Sequence, residues 1–146
     1  MPLQATVLDL EIGSTRFTAT LREDLAPHSC ARLMSMLPYR ATAIHARWSG
    51  EALWSPLGDS WPPGVRLPRE NATREPRPGE IVLYAGELSE PELLIPYGMV
   101  RFACKVGPLD GNPVLRIDDP IPALAEIGRQ ILWNGGMSFK VEKGLG

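Results

Sequence analysis

The chain has 146 residues, fifteen Lys plus Arg against seventeen Asp plus Glu, for a formal net charge of -2. This length buries one hydrophobic core without disulfides or a structural metal, and 44% hydrophobic with 22% charged residues is the composition of an ordinary globular domain. The near-neutral balance leaves no basic footprint for a phosphate backbone, which excludes nucleic acid as the expected partner.

Residues 1–146 are expected to form one domain. Leu8, Leu10 and Ile12, then Phe17, Ala19 and Leu21, recur every second residue on either side of Gly13-Ser14. This period predicts a β-hairpin. At Pro27, suited to a first helical turn because its missing N–H would be unpaired there anyway, the period changes. Cys30, Leu33, Met34 and Leu37 make one helical stripe that Pro38 ends, and Cys30 is expected as a small core residue.

Alternation returns from Tyr39 to Trp54, with Thr42, Ile44, Ala46 and Trp48 as the apolar face and Ala43, His45, Arg47, Ser49 and Glu51 as the polar one. One long strand or a bent pair follows, with Gly50 a candidate bulge. Residues 56–78, crowded with prolines, predict an irregular loop. Strands are expected at Ile81–Tyr84, Leu93–Ile95, Arg101–Val106 and Val114–Ile117, with Asp110-Gly111-Asn112-Pro113 as a turn. A second helix, with Leu124, Ile127, Ile131 and Leu132 as its stripe, falls within about 119–134, and Met137, Phe139 and Val141 belong to a closing strand. The order β-β-α, several β, α-β suits a mainly β fold, a closed antiparallel barrel capped by two helices.

Cys30 and Cys104 form no Cys-x-x-Cys pair, and the N-terminal segment has no basic region followed by an apolar run. A reducing, cytoplasmic location without a membrane span is expected, and the glycosylation sequon at Asn71-Ala72-Thr73 is read as accidental. Only two histidines occur, neither at metal-ligand spacing, and no nucleotide-binding glycine loop or Gly-x-Ser-x-Gly motif is present. No metal and no cofactor are expected.

Residues two apart on a regular strand share a face, so His45, Arg47, Ser49 and Glu51 would form one polar row containing a base, a cation and a carboxylate. An imidazole beside a guanidinium could hold and protonate a small acid. The plain alternative is the wet face of a half-buried strand. For Trp48, core packing is the expected role, whereas Trp61, beside Pro62-Pro63, is the better candidate for a pocket wall. The loop arginines Arg66, Arg69, Arg74 and Arg77, interleaved with Glu70 and Glu75, fit a solvated segment.

The run Arg22-Glu23-Asp24-Leu25-Ala26-Pro27-His28-Ser29 after a strand pair resembles the start of cyclophilins. Ala46-Arg47-Trp48-Ser49-Gly50-Glu51-Ala52, Glu70-Asn71-Ala72-Thr73, Pro78-Gly79-Glu80-Ile81, and Ser89-Glu90 with Tyr97-Gly98 are similar to segments of a bacterial family of small cyclophilin-like proteins of unassigned function. The resemblance implies a cyclophilin-like barrel, and in true cyclophilins it implies prolyl isomerisation. Ile44-His45-Ala46-Arg47 keeps a histidine and an arginine near the catalytic segment but with altered spacing, and the glutamine-containing segments that grip the proline are missing. The resemblance adds weight to Arg47 and brings Glu70, Asn71, Tyr84 and Tyr97 in as ligand-binding candidates beside Trp61. Arg47, His45 and Glu51 are the candidate catalytic set.

Three functions are therefore carried forward. The first is binding or transformation of a small, carboxylate-bearing molecule near Arg47. The second is a prolyl isomerase or peptide-binding module, and the third a structural barrel that forms homo-oligomers.

Overall fold

A computed structural model of the chain describes residues 5–144. Residues 1–4, part of the segment inspected for a leader, lie outside that range. The elements are β1 (Val7–Ile12), β2 (Thr15–Leu21), α1 (Pro27–Ser35), β3 (Tyr39–His45), β4 (Gly50–Pro56), β5 (Glu80–Tyr84), β6 (Glu92–Val100), β7 (Ala103–Cys104), β8 (Gly107–Pro108), β9 (Asn112–Ile117), α2 (Ile121–Asn134) and β10 (Met137–Lys143). Eight strands close an antiparallel barrel in the order β1-β10-β3-β4-β6-β5-β9-β2, and β7 pairs with β8 as a separate small hairpin.

The alternation read at β1 and β2 sets their inward faces: Leu8, Leu10, Ile12, Phe17, Ala19 and Leu21 are all buried. The helices add Cys30, Leu33, Leu124, Ile127 and Ile131 to the same interior cluster, each aliphatic side chain contributing about 2 kcal/mol of burial. Leu132 departs from its expected place in the stripe of α2 and is 53% exposed.

The segment 39–54 is two strands, not one. β3 and β4 pair antiparallel through Ile44↔Trp54 and His45↔Leu53, so the chain reverses over 46–49. The face of β3 is also the opposite of that expected: Tyr39 and Ala43 are buried while Thr42 is exposed. Tyr39 decides this, since its ring packs edge-on to Phe139 at 6.0 Å and its hydroxyl meets the buried Ser55 hydroxyl at 2.8 Å. Past the reversal the parity of β3 no longer applies, and Trp48, expected in the core, is 56% exposed. The register between β4 and β6 shifts at Gly50/Ala52, where Gly50 has φ +99° and a Cβ would lie 2.7 Å from the Met99 carbonyl oxygen.

Arg101–Val106 is likewise not one strand but the approach to the β7–β8 turn, and Asn112-Pro113, expected within a turn, begin β9. Gly111 before them bridges to Thr73 of the long loop. The outer face of the barrel carries a second apolar cluster. On β6, Leu93, Ile95 and Tyr97 belong to the interior cluster, while Leu94 between them joins Ala52, Val82, Tyr84, Val100, Phe102 and Leu109 outside.

Candidate functional site

The outer face of the β4–β6 pair carries a cleft of about 320 Å³, at the small end of the range for ligand pockets. Its floor is the cross-strand pair Trp54↔Leu94. One wall is the 46–49 reversal with Arg47 and Trp48, a second is the β7–β8 turn with Cys104, Lys105 and Val106, and a third is the turn 88–90 before β6.

Local hydrogen bonds fix these walls. The Ser49 hydroxyl donates to the Ala103 carbonyl and accepts from the Ala103 amide, both at 3.1 Å, and the Arg101 amide donates to the Ser49 carbonyl at 3.0 Å. The two basic walls are thereby joined. The Tyr84 hydroxyl accepts the amides of Glu87 at 3.0 Å and Leu88 at 2.7 Å, holding the third wall from behind.

At the base lies Glu92, only 5% exposed. The Trp54 indole Nε1–H donates to its Oε2 at 2.5 Å. No second bond to this carboxyl is present among the described residues, and none of their buried side-chain polar atoms lacks a partner. Oε1 is therefore not fully enclosed, and Glu92 is among the residues that line the cleft. Burial, joined by the charge of Glu90 and opposed by the indole, pushes the Glu92 carboxyl up to about 7. A group that exchanges its proton near neutrality can serve as hydrogen-bond donor, acceptor or base. Arg47 at the lip makes no ion pair among the described residues, unlike Arg69 and Arg74, which both bind Asp110 at 2.7 and 3.1 Å.

The other residues singled out in the sequence lie elsewhere. Because 46–49 is a reversal, His45, Arg47, Ser49 and Glu51 do not form a row. The His45 Nδ1–H donates to the Ala46 carbonyl at 2.8 Å, leaving Nε2 to accept from the Tyr97 hydroxyl at 2.7 Å. Tyr97 faces the interior against Gly128 of α2, and burial, with the nearby Glu51 charge, raises its phenol. Glu51 accepts the Met99 amide at 2.9 Å.

Glu70 is also internal. Its carboxylate accepts the Ser29 hydroxyl at 2.7 Å, the amides of His28 and Ser29 at 2.8 Å each, and the His28 ring at 2.9 Å. Burial alone would raise this group, but those four bonds hold it down at about 2. Asn71 ties the loop to the Leu25 carbonyl at 2.8 Å. Trp61 donates to the Val65 carbonyl at 3.3 Å and lines a separate hollow in the loop. Of the expected aromatics, then, Trp61, Tyr84 and Tyr97 are outside the Arg47 cleft, and Trp48 and Trp54 are in it. Cys30 is buried beside the Val114 carbonyl at 3.6 Å, and burial pushes its thiol up to about 12.

Glu92 is the residue that sequence reasoning missed, since it ends an acidic stretch that passes for a solvated turn. Its signal was the alternation with Leu94, which puts a carboxylate on the same face as an apolar residue. Among the described residues no group of three His, Cys, Asp or Glu is placed to hold a metal, and no helix is long and apolar enough to cross a membrane.

The fold is shared with solved structures. McbB in complex with tryptophan matches at TM-score 0.71 and 22% identity over 95% of this chain, which spans 45% of that protein's length. The hypothetical protein AF2241 from Archaeoglobus fulgidus matches at 0.61 and 17% over 99% of this chain and 100% of its own, and the Mimivirus cyclophilin at 0.53 and 15% over 94% and 86%. No curated protein matches the sequence. The barrel is cyclophilin-like, and over residues 8–142 the sequence fits the family described as protein of unknown function DUF3830, to which this chain belongs.

Proposed function

We propose that this protein binds a small organic acid with an aromatic or apolar body in the outer-face cleft. Arg47 holds the carboxylate by paired N–H donors, Trp54 and Trp48 pack on the body, and Glu92 lies beneath as the group able to exchange a proton. The observation that carries this reading is the pairing of an unengaged guanidinium with a buried, half-satisfied carboxyl in one apolar-floored cleft. The solved structure of McbB in complex with tryptophan, an aromatic and carboxylate-bearing molecule, is in keeping with this reading, since that protein shares this fold over 45% of its length. In this reading His45, Tyr97, Glu51, Glu70 and Asn71 hold the frame.

Calorimetric titration with 3-phenylpropionate tests it. Binding is expected, weakened roughly tenfold or more in Arg47→Ala and unchanged in Glu51→Gln. No binding, or equal affinity in wild type and Arg47→Ala, contradicts the reading.

A further inference from the structure

The cleft is polar at two ends of opposite sign. Glu90 and Glu92 enter from the turn before β6 and its first residue, where Glu92 lies across from Pro56. Arg47 and Lys105 enter from turns next to the other end of the same strand pair, where Gly50 lies across from Val100. Trp54 and Leu94 lie between as apolar floor. Burying a carboxylate is costly unless a cation or several donors meet it, yet Glu92 has one neutral indole donor and no cationic partner among the described residues.

We propose that Glu92 receives an ammonium group, so that the ligand is a zwitterion of the amino-acid type, its carboxylate at Arg47, its apolar side chain on Trp54 and its amine at the Glu92 carboxyl that lines the cleft. This rests on the reading given above and adds the amine. A cationic group there supplies the missing partner, and a ligand with one charge of each sign matches a cleft with an acidic and a basic end. Glu90, across the same end, adds to the field favouring a cation.

The test uses three matched probes: 3-phenylpropionate, with the acid alone; phenethylamine, with the amine alone; and phenylalanine, with both. Each is titrated calorimetrically into the wild type and into Glu92→Gln, which keeps the shape and an acceptor for the Trp54 indole and so is expected to fold. Phenylalanine should bind tightest, and Glu92→Gln should weaken it and phenethylamine roughly tenfold or more while leaving 3-phenylpropionate within twofold. Phenylalanine affinity should also rise from pH 6 to pH 8, as Glu92 gives up its proton, and this slope should vanish in Glu92→Gln. The other titratable or charged groups lining the cleft, Glu90, Arg47, Lys105 and Cys104, are the same in both proteins. If 3-phenylpropionate binds as well as phenylalanine and Glu92→Gln changes neither, the amine site is wrong and the acid site stands. If none of the three binds, both are wrong.

Discussion

Glu70 and Glu92 are two buried carboxyl groups with opposite fates, because one is met by four donors and the other by one. Glu70 joins the long loop to the start of α1, and its amide donates to Asn112 at 3.0 Å while Asn112 reaches back to the Ser29 hydroxyl at 2.8 Å. Replacing Glu70 by Gln turns one acceptor oxygen into an NH2 facing donors, and should cost on the order of 2 kcal/mol at pH 7 by urea unfolding. A variant as stable as wild type would show that the network is not needed. The family-like segment around Glu70 was legible in the sequence, but its role was not, since the partners at 28, 29 and 112 are distant in the chain and nothing local distinguishes a lock from a ligand contact.

At the scale of elements, Gly128 decides how closely α2 approaches the barrel. In an exposed helix, Gly→Ala stabilises by about 1 kcal/mol. Here a Cβ would lie 2.5 Å from two atoms of the Tyr97 ring, and Tyr97 is itself held by His45. Overpacking should win, so Gly128→Ala is expected to destabilise by about 1–3 kcal/mol in thermal unfolding; a rise in stability would mean that the helix shifts freely. The opening hairpin, the start of α1 at Pro27 and most of the α2 stripe were legible because an uninterrupted period carried them. The inward face of β3 was not. Ala43 is small and Tyr39 has a polar tip, so the residues that turn inward look less apolar than Ile44 and Trp48, and the reversal at 46–49 has only Gly50 to mark it. The cleft inherits that difficulty, being assembled from three turns whose order in space follows from strand pairing.

For the whole molecule, the two carboxyls set opposing pH dependences. Glu70, held at about 2 against an ordinary 4.5, contributes stability that is complete above pH 4.5 and lost as pH falls toward 2. Glu92, raised to about 7 from the same ordinary value, contributes stability that is complete below pH 4.5 and lost as pH rises through 7. Together they place their maximum on the acid side of neutrality, and Glu92→Gln should flatten the fall between pH 4.5 and 7. A steady rise in wild-type stability over that interval would contradict this. The shared barrel does not by itself bring isomerase activity. A protease-coupled assay is expected to show no acceleration of proline isomerisation, and turnover abolished by Arg47→Ala would reverse that conclusion. The four tryptophans provide the most direct test of the central claim, because Trp48 and Trp54 line the cleft, Trp61 lies in the loop hollow and Trp133 is 82% exposed on α2. In a titration of the nitrogen-15-labelled protein with 3-phenylpropionate, the indole N–H signals of Trp54 and Trp48 should move while those of Trp61 and Trp133 stay fixed. Movement of Trp61 or Trp133 with Trp54 unchanged would place the ligand elsewhere and contradict the account.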